Sequence, residues 1–330
     1  MRQSAARGVP GVFTGRAPTR LDFGGGWTDV APYRDEEGGA VCNVAISRYA
    51  TATVAIGLTT TPHEAHDPLV RAALRRAGIA DATASVSSDV PIGSGLGGSS
   101  AAGVAIAGTL AALGGESLDP AALAERSRRT EVEDLGMAGG FQDHYAAAFG
   151  GALLLTYDGR IGVESLAPSA ATCEAIARRG VLLYTGVSRI SASTITAVSD
   201  AYRTRDREVC AALARMKALA VAMAASLRAG DVDALGEQLA EHWVHQRALH
   251  PTITTERIET IGHEAARAGA LGMKALGASA GGCVLVIARD GREADVARAI
   301  APLGERLYFT VDHVGFQLVP APTTAGGPES

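Results

Sequence analysis

The sequence predicts an α+β protein with two domains, and three observations carry that prediction. Residues 41–56 alternate apolar and polar side chains with the period of two that a strand requires, residues 192–249 follow a helical pattern, and a glycine-rich stretch at 91–102 leads from a strand-like segment into an alanine-rich helix. A chain of 330 residues, 47% of them hydrophobic, can bury a large core and is long enough to divide near residue 180.

Taken in order, residues 16–29 start as a strand and break at three glycines, and 41–56 read as strands. A short helix covers 68–77, a strand at 84–89 enters the glycine stretch, and helices follow at 99–113 and 120–133. Residues 150–157 and 181–184 are strand-like. Residues 192–229 and 231–249 are helical, with Gly230 and Asp231 as stop and restart, and a further helix over 251–268 ends at Gly269. Strands at 284–287 and 307–311 flank a helix at 293–300. The long helical run has no sustained heptad, so it is expected to pack as core rather than as a coiled coil. Residues 1–11 and the Pro/Gly/Thr/Ser-rich 320–330 are expected to be flexible tails.

The stretch 91–102, PIGSGLGGSSAA, has the chemistry of a phosphate loop. Gly93, Gly95, Gly97 and Gly98 lack the Cβ atoms that would keep the backbone from closing on an anion, and Ser99 and Ser100 open a helix whose N-terminus carries partial positive charge. The Lys-Ser/Thr ending of a Walker A loop is absent, as is the GxGxxG with a downstream acidic residue of a Rossmann loop. Lys217 and Lys274 are the only lysines, so backbone dipoles, a hydroxyl-bound Mg2+ and arginine are expected to meet the phosphate charge.

Three further segments punctuate the chain. RAPTRLDFGGGWTD at 16–29 presents Trp27, Thr28 and Asp29 after its glycines, and GGFQDHYAAAFGG at 139–151 places Asp143 just after a glycine break. Each reads as a loop offering a carboxylate into a cleft. GASAGGCVLV at 277–286 precedes a buried strand and is suited to approaching a ligand backbone-first. His242 and His245 flank Trp243 without a third ligand nearby, which points to a surface or interdomain role rather than a metal.

In this order the four segments resemble the motifs of the GHMP sugar and metabolite kinases. QDHYAAAFGG (142–151), YTGVSRISAS (184–193) and KALGASAGG (274–282) are most similar to the D-glycero-D-manno-heptose 7-phosphate kinases, and DFGGGWTD (22–29) to L-fucokinases. The resemblance implies a two-domain GHMP kinase fold. Its N-terminal domain, at 12–180, would be ribosomal-protein-S5-like, and its C-terminal domain, at 181–319, a ferredoxin-like sandwich. It also implies ATP binding by Pro91, Gly93, Ser94, Gly95, Leu96, Gly97, Gly98, Ser99, Ser100 and Gly281. Asp143 would then be the catalytic base, held by Arg16 or Arg20. Mg2+ would sit on Ser99, or Ser100 in its place, with Glu131 or Glu133. Asp29, Thr28, Trp27, Gly26 and His144 would meet the sugar, Trp27 either stacking on it or filling a core gap, and Arg189 with Ser188 would meet a phosphate on it.

The expected activity is therefore transfer of the γ-phosphoryl group of ATP to a sugar hydroxyl, foremost the anomeric hydroxyl of a D-glycero-heptose 7-phosphate. The alternatives are a free-sugar 1-kinase of the fucokinase type, a cyclitol-phosphate kinase, and a non-catalytic sugar and ATP sensor. The partner is a small sugar or sugar phosphate, with a homodimer possible. A net charge of −5 argues against nucleic acid. Cys42, Cys173, Cys210 and Cys283 are scattered without CxxC spacing, which fits a reducing cytoplasm. No basic-then-apolar signal pattern opens the chain. Its longest apolar run, after Ser100, is too short for a bilayer, so no membrane partner is expected.

Overall fold

The computed structural model describes residues 11–56, 67–79, 82–137, 139–187 and 192–320. Two long antiparallel strands organise its first half, β1 (Gly11–Gly24) and, after the short helix α1 (Tyr33–Glu37), β2 (Gly39–Ile56). Asp67 caps helix α2 (Pro68–Ala77) by accepting from the Leu69 N–H, with Pro68 at the first helical position where its missing N–H costs nothing. Strand β3 (Ala82–Ser88) pairs with the distal half of β2 and delivers the chain to the glycine loop. Helix α3 (Gly98–Leu113) is apolar on nearly all sides and correspondingly buried along its length. Helix α4 (Pro120–Arg129), capped by Asp119, widens into a π-helical turn over Thr130–Asp134, and helix α5 (Gln142–Phe149) follows. Strands β4 (Ala152–Tyr157) and β5 (Ile161–Ser165) complete one edge of this sheet.

The second half begins with α6 (Ala170–Arg179), β6 (Gly180–Tyr184), α7 (Ala192–Arg203), α8 (Arg207–Ala229), α9 (Val232–Ala248) and α10 (Glu256–Ala268). Strands β7 (Ala270–Ala275) and β8 (Cys283–Ala288), helix α11 (Glu293–Ile300) and strand β9 (Glu305–Leu307) follow. The sheet runs β7-β8-β6-β9, antiparallel throughout, which is the 4-1-3-2 order of a ferredoxin-like unit read from its last strand. The last strand, β10 (Gln317–Val319), returns to the first sheet beside β1. One apolar core is shared by both sheets, bringing Leu21, Val44 and Leu154 together with Leu182, Leu285 and the α8 residues Met223 and Leu227.

Several sequence expectations change in detail. The helical pattern over 192–229 is broken at Arg205, in the left-handed region, where Asp206 recaps the chain through the Glu208 and Val209 N–H groups. Thr255 likewise caps α10, so the run from Pro251 is a 3-10 turn followed by a new helix. Of the expected strand at 307–311 only Leu307 is strand, the last residue of β9 (Glu305–Leu307), with Val311 making an isolated bridge to Ile46. Residues 139–151 form helix rather than loop from Gln142 onward. The longest apolar helix is α8, not α3. By length and composition α8 could cross a membrane, yet half of its apolar window is buried inside the protein. The expected tails lie almost wholly outside the described residues.

Phe316, just before β10, closes the first core from outside. It seats where α3 and β1 carry glycine, and a Cβ on Gly108 would fall 2.5 Å from its ring. Gly108→Val should therefore overpack this seat and lower unfolding free energy by roughly 1–3 kcal/mol, measured as a reduced urea midpoint. An unchanged midpoint would show that Phe316 yields without cost.

Candidate active site

The glycine loop forms one wall of a cavity of about 840 Å3, lined among others by Pro91, Gly93, Ser94, Gly95, Gly97, Gly98, Ser99 and Ser100. Gly93, Gly95 and Gly97 all have positive φ, which only glycine adopts without strain. Gly97 is the N-cap of α3 and no side chain caps this end. The first N–H groups of the helix are thus open to an anion.

Opposite the helix end, the π turn aims Glu131 back at α3. Its carboxylate accepts from Ser99 Oγ at 2.7 Å and Ser100 Oγ at 2.9 Å, and His144 Nε2 lies 2.9 Å away. Burial pushes this carboxyl up, but the His144 and serine contacts outweigh it and hold it at about 2. Glu131 is therefore an anion throughout the physiological range. Glu133 points outward to Arg76 at 3.2 Å and is half exposed.

A second cavity of about 160 Å3 adjoins the first and is lined by Arg20, Asp22, Gly26, Trp27, Asp29, Gln142 and Asp143, among others. Asp143, Gly139 and Gly140 border both cavities. Asp143 sits in the first turn of α5, and Arg20 holds it with Nε at 2.8 Å and its terminal nitrogen at 2.6 Å, both on Oδ1. The same guanidinium donates to the Gly95 carbonyl at 2.6 Å, so one buried arginine ties the carboxylate to the phosphate loop. Asp29 accepts from the Phe141 and Gln142 N–H groups at 3.0 and 3.2 Å, a carboxylate at the start of α5. Burial, followed by the nearby Asp143 charge, raises its carboxyl to about 6. Trp27, at φ 80°, both packs into a core cluster with Tyr33, Leu183 and Trp243 and lines this cavity.

Other expected site residues fall elsewhere. Arg16 lies four residues along β1 from Arg20, roughly 13 Å of extended strand, where it stacks over Tyr49 and reaches Gln317 rather than Asp143. Thr28 is fully buried, its hydroxyl donating to the Gly25 carbonyl at 2.7 Å and accepting from the Ala40 N–H at 3.2 Å. His144 stands behind Glu131, with Nδ1 3.0 Å from Ser127 Oγ, and faces the larger cavity rather than the smaller. The Leu96 side chain is core, while its carbonyl accepts from the Arg20 N–H at 3.0 Å. Gly281 packs on Val187, and its neighbour Gly282 on the phosphate loop, where a Cβ would lie 2.7 Å from the Ser94 carbonyl. The 277–282 turn thus meets the loop and stays out of the larger cavity, its Gly277 and Ala278 edge reaching the smaller one. Ser188 and Arg189 lie outside the described residues.

Sequence reasoning passed over the pair behind this site. Lys274, wholly buried in β7, donates to Asp22 Oδ2 at 3.0 Å. Burial pushes its ammonium down and Asp22 pulls it back up. A lysine inside an apolar strand pattern was the available signal, because a buried lysine needs a carboxylate partner. His242 also bridges the halves: its Nε2 accepts from the Gly25 N–H at 2.9 Å, and burial keeps the ring neutral. Among the described residues no cluster of three acidic, His or Cys side chains could hold a metal.

Residues 66–151 match the GHMP kinases N terminal domain and 207–304 the GHMP kinases C terminal domain. A galactokinase of Mycobacterium tuberculosis is 31% identical over 82% of the chain and 83% of its own length. A D-glycero-alpha-D-manno-heptose 7-phosphate kinase of Campylobacter jejuni is 29% identical over 64% of the chain and 63% of its own length. The chain spans about a third of the length of the bifunctional fucokinase relatives of Arabidopsis thaliana and Bacteroides fragilis, at 27% and 25% identity. The crystal structure of a D-glycero-D-manno-heptose 1-phosphate kinase from Bacteroides thetaiotaomicron superposes with a TM-score of 0.76, at 23% identity over 94% of the chain and all of the other. With an N-terminal and a C-terminal family domain matched and a galactokinase 31% identical over 82% of the chain, the chain belongs to the GHMP kinase family.

Proposed function

We propose that the chain is an ATP- and Mg2+-dependent cytoplasmic kinase that phosphorylates the anomeric hydroxyl of a D-glycero-heptose 7-phosphate, giving the 1,7-bisphosphate. The observation that carries this reading is the position of Asp143 on the border of both cavities, fixed by an arginine that also holds the phosphate loop. Phosphoryl transfer asks mainly for positioning in line and for charge neutralisation. The phosphates of ATP would rest on the uncapped start of α3, with its adenine toward the exposed apolar side chains Ile92 and Met137. Asp143 takes the proton of the acceptor hydroxyl as that oxygen turns toward the γ-phosphate. Arg20 keeps Asp143 oriented, and Asp29 accepts from acceptor hydroxyls.

The Glu131 site has a donor set that fits magnesium: one ionised carboxylate and the Ser99 hydroxyl, oxygens only, with the remaining positions open to water and phosphate. When bound, the ion neutralises charge on the transferring phosphate. A phosphorylated acceptor is supported by a third cavity, of about 320 Å3, that shares Val30, Gly139 and Ile195 with the acceptor cavity and is lined by Arg34, Arg128 and Arg203. Arg189 and Ser188 are proposed to meet the same phosphate. The DFGGGWTD segment supports a second reading, a free-sugar 1-kinase of the fucokinase type.

The first test is ADP release with Mg-ATP over heptose 7-phosphates, fucose, galactose and cyclitol phosphates, with the product located by phosphorus NMR. Turnover of free fucose alone would favour the second reading, and silence on all of them would leave a sensor.

Asp143→Asn should lower kcat by about 10²–10⁴-fold with ATP affinity within twofold by calorimetry; near wild-type turnover would remove Asp143 as the base. Replacing Arg34 and Arg203 together by Ala should raise KM for heptose 7-phosphate at least tenfold and KM for fucose less than twofold. Equal effects on both would exclude the third cavity as the phosphate site. Asp29 offers a pH test. Because its carboxyl is raised from 3.8 to about 6, the stability it contributes is complete below pH 4 and lost as pH rises through 6. Asp29→Asn should therefore stabilise the fold by about 3 kcal/mol at pH 8 and by nothing at pH 4, read from denaturation at the two pH values. A gain that is the same at both would contradict the buried carboxylate.

A further inference from the structure

The acceptor cavity holds more hydrogen-bonding capacity than Asp29 and Asp143 account for. Asp22 Oδ1, Gln142 Oε1 and the Trp27 indole N–H are each buried with no partner among the described residues, and all three residues line the same 160 Å3 space. They are only 2%, 7% and 9% exposed. Buried polar atoms are normally paired, so three orphans around one cavity mark the contacts that a bound molecule completes.

Asp22 is set apart by what lies behind it. Its other oxygen, Oδ2, is taken by Lys274, which has no solvent exposure and also donates to the Phe23 carbonyl at 3.4 Å. A carboxylate clamped on one oxygen by a buried cation keeps its orientation and presents the second oxygen as an acceptor only. Gly26 makes room for this arrangement. A Cβ there would collide with Asp22 Oδ2 and come within 3.2 Å of Gln142 Nε2, so the two side chains converge over the Gly26 Cα.

We infer that Asp22 is an acceptor-binding residue that determines specificity: its free oxygen, with Gln142 Oε1 and the Trp27 indole N–H, takes the hydroxyls of a neutral polyhydroxylated ring, and Lys274 is the positioning residue that fixes it. The inference rests on the sugar-kinase reading above. Charge supports the class of ligand. Asp22, Asp29 and Asp143 all line the cavity, while Arg20 is the one cation lining it among the described residues and is committed to Asp143. A phosphate pressed into this wall would meet carboxylates, whereas ring hydroxyls meet two acceptors and a donor. Any phosphate on the acceptor therefore projects out of this cavity.

The experiment is steady-state ADP release from the full chain at saturating Mg-ATP, with L-fucose, D-galactose and D-glycero-D-manno-heptose 7-phosphate as probes, and with monodeoxy analogues of whichever is turned over best. In Asp22→Asn the amide oxygen must face Lys274, which only donates, so the amide N–H group faces the cavity and the hydrogen-bond polarity there reverses. The expected result is at least a tenfold rise in KM for the best probe, with KM for ATP within twofold. The deoxy analogue that most weakens the wild type should weaken this variant no further. Gln142→Leu, which leaves the ion pair intact, should show the same split toward acceptor KM. Asp22→Asn with Lys274→Met removes the unpaired buried cation and should keep the raised KM if the fold of the single variant suffers. Wild-type turnover with acceptor KM and deoxy selectivity unchanged in the variants that fold overturns this inference alone. A wild type silent on every sugar overturns the sugar-kinase reading and this inference together.

Discussion

The site depends on a backbone-to-backbone seam between the phosphate loop and the turn that joins β7 to β8. The Cys283 N–H donates to the Ser94 carbonyl at 2.7 Å, and a Cβ on Gly277 would stand 2.9 Å from the Gly95 Cα. Side chains cannot fit in such an approach, so both strips must be glycine-rich, and that requirement ties two segments nearly 190 residues apart. The loop keeps its shape because the second sheet supports it from behind. The glycines of the 277–282 turn thus support the larger cavity without lining it, while the Gly277 and Ala278 edge reaches the smaller one.

Around that seam, charge is arranged in opposed pairs rather than in a single cluster. Arg20 answers Asp143, Lys274 answers Asp22, and the serine hydroxyls with His144 answer Glu131. Asp29 has two backbone N–H donors and no ion pair among the described residues, and burial with the nearby Asp143 charge raises its carboxyl to about 6. Burial disfavours the ionised form unless a positive charge or several donors meet it.

Much of this site was legible because glycine and carboxylate positions are governed by local geometry. The glycine loop at 91–98 and the start of α3 fall where the residue pattern puts them, Asp29 and Asp143 border one cavity, and the strand and helix periods recover most elements. What was not legible depends on partners distant in the chain. Arg16 and Arg20 are equivalent by spacing, and only the strand's path past α5 separates them. Glu131 and Glu133 share one helix pattern until the π turn sends one inward to Ser99 and the other outward to Arg76. Thr28 looks like a ligand beside Asp29, yet the hydrogen bonds it makes to Gly25 and Ala40 are those of a turn.

By itself the sequence determined the α+β class and the glycine loop that opens α3, since these follow from hydrophobic period and backbone sterics. The tertiary structure alone decided which arginine faces Asp143, that Lys274 stands behind Asp22, and that the chain's last strand returns to the first sheet with Phe316 closing its core. These are contacts between residues 100 to 300 apart, and no local preference encodes them. They are settled when two sheets share one core and each buried charge has to find its partner.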